Sequence, residues 1–90
     1  PELLDPRARA LAEARVKAAE AALARTTPLL DQARTARDYA RTTLERAERL
    51  FAEKTLSHQE LDAAEERERI AGEALRAAEF AAQIAAFELE

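Results

Sequence analysis

The feature that most constrains the fold is a seven-residue repeat of small and apolar residues that runs without a phase change from Ala12 to Phe51. The first row of the repeat consists of Ala12, Ala19, Thr26, Ala33, Ala40 and Ala47. The second row, three residues further on, consists of Arg15, Ala22, Leu29, Ala36, Thr43 and Leu50. The third row, four residues on from the first, consists of Val16, Leu23, Leu30, Arg37, Leu44 and Phe51. These rows form one stripe, which predicts a long amphipathic helix packed against a partner.

The amino-acid composition agrees with helices and leaves little material for strands. The chain has 24 alanines, a single glycine, and only three residues that are valine or isoleucine. Alanine, leucine, glutamate and arginine dominate, and all four are strong helix formers. This composition excludes a β fold, an α/β fold and a disordered tail, and it is typical of helices packed closely through small residues, as in a coiled coil.

The net charge and the lack of cysteine exclude several classes of function. A net charge of −4 argues against nucleic-acid binding, which requires a clustered basic surface. Without cysteine there is no disulfide, thiolate metal site or cysteine nucleophile. The sequence shows no signal peptide and no apolar run near the roughly 20 residues of a transmembrane helix. Because the chain begins at Pro1 without methionine, we expect it to be a piece of a longer protein.

The first helix is predicted to begin at Asp5-Pro6, since aspartate is a favoured N-cap and proline suits the first helical position. Residues 1–4 are then the end of an incoming strand or linker. The heptad register continues through Pro28, which favours one long helix, continuous or kinked at that point. The alternative is a break, because Thr27-Pro28 also resembles a helix start and an interior proline costs about 3 kcal/mol.

A second helix is predicted to begin at Ser57, where Ser57 and Glu60 have the spacing of a capping box. Its apolar rows consist of Leu61, Glu68, Leu75, Ala82 and Leu89 on one side and of Ala64, Ala71, Ala78 and Ala85 on the other. We predict a single domain over residues 1–90, with helix 1 over residues 6–53, a tip turn over 54–56 and helix 2 over 57–90.

The two helices match when the chain is folded back at the turn. Small residues then face small residues in four layers: Ala47 with Ala64, Ala40 with Ala71, Ala33 with Ala78, and Thr26 with Ala85. In the other layers large residues mostly face small ones: Leu50 with Leu61, Ala36 with Leu75, Leu29 with Ala82, and Ala22 with Leu89. We therefore predict an all-α fold, a long antiparallel two-helix coiled-coil hairpin.

Two apolar regions find no partner within this hairpin. Residues 7–20 extend past the end of helix 2, and we expect the second helix to continue in the longer parent. Helix 2 also carries an additional apolar row that a two-helix hairpin does not need. Its residues are Ile70, Ala77, Phe80, Ile84 and Phe87. We interpret Ile70, Phe80, Ile84 and Phe87 as candidates for contact between hairpins.

The polar residues show no arrangement typical of catalysis. Ser57 and His58 are adjacent, but neighbouring residues at a helix N-terminus point in different directions, and we expect no acid beside His58 to orient it. Residues 65–69 alternate acidic and basic side chains, which is typical of a solvated helix face with i,i+4 pairs. We therefore predict no enzymatic activity, no metal, no cofactor and no small-molecule substrate.

The tip carries a specific resemblance. Arg46, Leu50 and Ser57 surround the turn at offsets of four and seven residues, and Glu60 and Asp62 follow. This stretch, with its alanine-rich flanking heptads, resembles the α-hairpin of HlyD-like membrane fusion proteins, the periplasmic adaptors of tripartite efflux pumps and type I secretion systems. The resemblance covers nearly the whole chain. The family usually has a glycine near Lys54, its first helix is commonly shorter, and Pro28 is atypical of it.

The resemblance implies a docking function for the tip. In the family, Arg46, Leu50 and Ser57 correspond to residues implicated in binding a TolC-type outer-membrane channel. It further implies a ring of hairpins, an inner-membrane transporter of the RND or ABC type as a partner of the parent protein, and a periplasmic location in a Gram-negative bacterium with the parent anchored at the inner membrane. Residues 1–4 would lead out of a lipoyl-like domain. The alternatives are a compact three-helix interaction bundle broken at Pro28 and an amphipathic protein that binds lipid surfaces.

Overall fold

The computed structural model describes residues 5–90 and shows two helices joined by a tight turn. Helix α1 comprises Pro6–Ala52 and helix α2 comprises His58–Leu89. The two helices pack against each other along an antiparallel rod with extents of 79 × 15 × 14 Å. The predicted all-α hairpin is therefore confirmed. Residues 1–4, predicted to form an incoming strand or linker, lie outside the described residues.

Helix α1 begins where the sequence predicts and continues through its internal proline. The Asp5 side chain accepts a hydrogen bond from the backbone N–H of Ala8 at 2.7 Å, and proline follows at the first helical position. Pro28 lies inside the helix on its exposed side. The continuous first helix is thus confirmed and the three-helix bundle is wrong, because the seam residues on both sides of Pro28 pack on the same partner helix.

The seam between the helices follows the predicted rows of α2. Ala64, Leu75 and Ala85 are buried. The other members of the two rows are half-buried: Leu61, Glu68, Ala71, Ala78, Ala82 and Leu89. On α1, the first row is half-buried from Ala19 onward and buried at Ala47. Alanines on both helices therefore line the seam and allow the two backbones to approach closely.

The second row of α1 requires a correction. Ala22, Leu29 and Ala36 are exposed, Leu29 by 52%, and only Thr43 and Leu50 near the tip are half-buried. The prediction that Ala22, Leu29 and Ala36 are buried against α2 is therefore wrong. Instead the third row is sheltered from residue 23 to residue 51. A two-helix seam covers only two rows of each helix, and the third row has the larger apolar side chains to bury.

A charged residue of α1, Arg37, takes part in the seam. Arg37 belongs to the third row and is half-buried, while its guanidinium donates to the Asp38 carboxylate at 2.9 Å. An arginine can do this because its aliphatic stem packs on apolar surface while its charged end remains in water.

The start of α1 extends past the end of α2, since α1 has 47 residues and α2 has 32. Leu11 and Val16, on this single-helix portion, are 55% and 50% exposed. Their exposure agrees with the prediction that the first part of α1 has no partner within the hairpin.

Candidate docking site at the hairpin tip

The turn at the tip closes α1 with a Schellman motif. Lys54 has a positive φ of 63°, the left-handed conformation that most often belongs to glycine. The N–H of Thr55 donates to the Leu50 carbonyl at 2.9 Å, and the N–H of Lys54 donates to the Phe51 carbonyl at 2.9 Å. The Thr55 hydroxyl donates to the same Leu50 carbonyl at 3.0 Å. Although the resembled family usually has glycine here, lysine forms the same kind of cap at a conformational cost.

The start of α2 is closed by the predicted capping box. The Ser57 hydroxyl accepts from the Glu60 N–H at 3.0 Å, and the Glu60 carboxylate accepts from the Ser57 N–H at 3.1 Å. Hydrogen bonds from Ser57 lower the pKa of the Glu60 carboxyl from its usual value of 4.5. The Ser57 backbone N–H has the larger effect and the Ser57 side chain the smaller one. Both sides of the turn are thus held by local hydrogen bonds, which position the residues around the tip.

His58 has a neighbouring acid that the sequence interpretation did not expect. Its Nδ1 lies 3.3 Å from an Asp62 carboxylate oxygen, and its ring packs edge-on against Phe51 with a centroid distance of 5.5 Å. The expectation of no acid beside His58 is therefore wrong, because residues four apart share one helix face. Among the described residues, no hydrogen bond joins the imidazole to the Ser57 hydroxyl, whose oxygen accepts from Glu60 instead. The contacts of His58 link the start of α2 to the end of α1.

A groove lies beside the seam close to the turn. It has a volume of about 290 Å³ and is formed by both helices. Its lining residues are Thr43, Arg46, Ala47, Leu50, Leu56, Glu60, Ala63, Ala64 and Arg67. The structure therefore brings together two of the three predicted tip residues, Arg46 and Leu50. Ser57 does not line the groove; it follows Leu56, which does, and its side chain is exposed.

Arg67 lines the groove, although the alternating charges of residues 65–69 predict a solvated face of ion pairs. In the structure Arg69 makes these pairs, with Glu66 and with Glu73. Arg67 makes no ion pair within residues 5–90 and lines the groove instead. Residues three, four and seven positions after Glu60 share its helix face, and these are Ala63, Ala64 and Arg67. This spacing is the signal in the sequence that places Arg67 beside the groove.

The Thr43 side chain contributes a polar group to the groove wall. Its hydroxyl oxygen is buried and has no hydrogen-bond partner. Thr43 also lines a smaller adjoining depression together with Tyr39, Ala40 and Arg67. The groove therefore continues along the same side of the hairpin, away from the turn.

The additional apolar row of α2 forms a second candidate surface, here called the outer stripe. It consists of Ile70, Phe80, Ile84 and Phe87, which are 48–75% exposed. At about 3.6 residues per turn, these residues lie on the side of α2 that faces away from its seam rows. The hairpin itself therefore leaves all four uncovered.

The described part of the chain presents few other features of a functional site. Within residues 5–90 there is no group of three or more His, Cys, Asp or Glu placed to hold a metal ion. The same residues include no helix that is both long and apolar enough to cross a membrane.

Comparisons with protein-family models, with curated proteins and with solved structures found no match for this chain.

Proposed function

We propose that this chain is the hairpin of a periplasmic adaptor, which docks through its tip onto a TolC-type outer-membrane channel and links that channel to an inner-membrane transporter of the RND or ABC type. One observation carries the proposal. Arg46 and Leu50, which correspond to docking residues in the resembled HlyD-like family, line one groove at the tip, and Ser57 is exposed beside it. In this proposal the parent protein is anchored at the inner membrane of a Gram-negative bacterium and extends into the periplasm.

The shape of the molecule suits a spacer. The rod is 79 Å long and only about 15 Å thick. A capped turn closes one end, and helix α1 passes through Pro28 without ending. Such a rod can hold a docking tip at a distance from the body of a larger protein, and it needs no catalytic group to do so.

The three tip residues offer complementary contacts. Arg46 presents a planar fork of donors suited to a carbonyl or carboxylate of the channel. Leu50 presents apolar surface in the groove floor. The exposed Ser57 hydroxyl oxygen accepts from the Glu60 N–H, and its second lone pair can accept from a donor of the channel.

The outer stripe supports assembly of several hairpins into a ring. Ile70, Phe80, Ile84 and Phe87 leave apolar surface exposed along α2. In a ring, the stripe of one hairpin would contact a different surface of its neighbour, a heterologous interface that closes by rotation. Sedimentation of wild type and of the Phe80→Ser, Phe87→Ser double variant tests this role: the wild type should associate with rising concentration, and the variant should remain monomeric.

Binding to a purified TolC-type channel in nanodiscs is the test of docking. We expect Arg46→Ala and Leu50→Asp each to weaken binding at least tenfold. Arg49→Ala is the matched control, because Arg49 lies one turn from Arg46 on α1 but outside the groove. Circular dichroism of each variant separates a lost contact from lost helicity. Equal binding by the wild type and by a helical Leu50→Asp variant would contradict the proposal.

The exposed outer stripe also favours a second candidate function, binding to a lipid surface. Liposome flotation distinguishes the two. The lipid-surface function replaces the adaptor function if two results are found together. The wild type floats with liposomes while the Phe80→Ser, Phe87→Ser double variant does not, and neither protein binds the channel.

A further inference from the structure

We propose that the tip groove receives an acidic helix of the docking partner, and that Arg67 is a second anchoring residue that acts together with Arg46. This inference rests on the proposed function, because it specifies the chemistry of the partner at the same tip. In the bound state, one apolar side chain of the partner fills the groove, and carboxylates on either side of it pair with the two arginines.

The charges around the groove favour an anionic partner. Arg46 comes from α1 and Arg67 from α2, and both line the same groove. Glu60 is the acidic residue among the lining side chains, and its carboxylate already accepts from the Ser57 N–H. The groove thus carries excess positive charge on a chain whose net charge is −4. Two cations beside one apolar groove repel each other, and an anionic partner placed between them removes that cost.

Among the described residues, the acidic residues beside Arg67 pair with other cations and leave its guanidinium unpaired. Glu66 pairs with Arg69, and Glu68 lies 4.0 Å from Arg41 across the seam. Glu66 and Glu68, the two acids next to Arg67 in the sequence, therefore interact with other arginines. Neither Arg46 nor Arg67 makes an ion pair within residues 5–90, so the donors of both guanidinium groups remain for a partner.

The floor of the groove specifies the apolar part of the partner. Leu50, Leu56 and three alanines contribute to the lining, and the groove has a volume of about 290 Å³. A void of roughly 150 Å³ is enough for a benzene molecule, so the groove has room for a leucine or phenylalanine side chain. The groove therefore fits one bulky apolar side chain between two cationic walls.

The separation of the two helices indicates the spacing of the partner's acids. Packed helices have axes about 8–10 Å apart, and two turns of a helix advance about 11 Å. A partner helix that crosses the groove would then place carboxylates seven residues apart, one toward Arg46 and one toward Arg67. An apolar residue three or four positions from each carboxylate would point into the groove.

Charge reversal on each side of the groove tests the inference with the same nanodisc-embedded channel. We expect Arg67→Glu and Arg46→Glu each to weaken binding at least tenfold, and we expect wild-type binding to fall as salt is raised. Arg76→Glu makes the same charge change on α2 outside the groove and should leave binding near the wild-type value. If Arg46→Glu weakens binding while Arg67→Glu binds like the wild type, the inference is overturned and the proposed function stands.

A second measurement decides the inference if the wild type does not bind the channel, an outcome that would refute the proposed function. An alanine-based peptide of about 16 residues, long enough to form a helix, carries a central leucine flanked by two glutamates seven residues apart. Its twin has glutamines in place of the glutamates. In an NMR titration, only the glutamate peptide should shift the backbone amide signals of the hairpin. These shifts should be confined to residues 43–50 and 60–67. Equal shifts with both peptides, or none at millimolar concentration, would overturn the inference.

Discussion

The two ends of the hairpin show how differently one heptad pattern can be used. Leu44 and Val16 belong to the same row of α1, yet Leu44 is half-buried near the tip while Val16 is 50% exposed near the start of the helix. The difference lies in α2, which covers Leu44 but ends before it reaches the level of Val16. A heptad row therefore marks the side of a helix that can be buried, and the partner decides how much of that row is buried.

The two helix starts differ in a similar way. Asp5 and Ser57 both accept a backbone N–H three residues on, at 2.7 and 3.0 Å. Only Ser57 adds a reciprocal bond, which its own N–H donates to the Glu60 carboxylate, and only Ser57 lies where both helices pack together. We expect the free energy of local opening to be smallest at the start of α1 and largest in the paired segment near the tip.

Removal of a seam leucine should have the largest effect on stability and should separate the two ends of the hairpin most clearly. Leu75 is 6% exposed, whereas Leu11 is 55% exposed. We expect Leu75→Ala to lower the free energy of unfolding by about 2–5 kcal/mol, since it leaves a cavity in the seam. Leu11→Ala, the same change on the unpaired portion, should alter it very little. Urea denaturation measures both, and equal losses would show that the start of α1 is packed as tightly as the seam.

Loss of the two N-caps should produce the next largest contrast. Ser57→Ala should lower the stability of the whole hairpin by about 1 kcal/mol, because it removes one half of the capping box at the paired tip. Asp5→Ala should leave global stability almost unchanged, while hydrogen exchange speeds up around Ala8. Denaturation combined with amide exchange measures the two effects. A global loss with Asp5→Ala as large as that with Ser57→Ala would break the distinction between the two ends.

A lysine-to-glycine change should stabilise the hairpin at the tip and destabilise the helix near the start of α1. Lys54 has a φ of 63°, so Lys54→Gly should stabilise the hairpin by about 0.5–1 kcal/mol by relieving the left-handed strain. Lys17→Gly, in the interior of α1, should instead lower helicity, since glycine costs up to about 1 kcal/mol in a helix. Thermal melts should show Tm rising by about 2–8 °C for Lys54→Gly. A fall in Tm would mean that lysine is not strained at the turn.

The smallest predicted effect is a pH dependence confined to the tip. Because the folded state lowers the pKa of Glu60, its stabilising contribution is complete above its usual value of 4.5 and is lost as pH falls through the lower folded value. Glu60→Gln should retain an acceptor for the Ser57 N–H and remove this part of the acid sensitivity. Denaturation between pH 6 and pH 3 measures the difference. If both proteins lose stability equally over this range, the carboxylate of Glu60 does not contribute through its charge.

The local features of this protein follow from short stretches of sequence. The capping box at Ser57 and the start of α1 at Asp5 each depend on hydrogen bonds within four residues, so their residue types predict them. The rows of α2 and the passage of α1 through Pro28 follow from periodicity, because the seam residues before and after the proline are in one register. In the same way Arg46 and Leu50 could be assigned to the tip before the groove was known.

Two long helices, the position of the turn and the residues near it can be predicted from the residue pattern alone. The rows of α1 that are buried depend on how α2 packs, which leaves Leu29 exposed and brings Arg37 into the seam. This packing also brings Arg46 of α1 and Arg67 of α2 to the lining of one groove. Helix formation and capping depend on bonds between near neighbours along the chain, so short stretches of sequence are enough to predict them. The choice between two flanking rows depends instead on how the side chains of a second helix fill the space beside them.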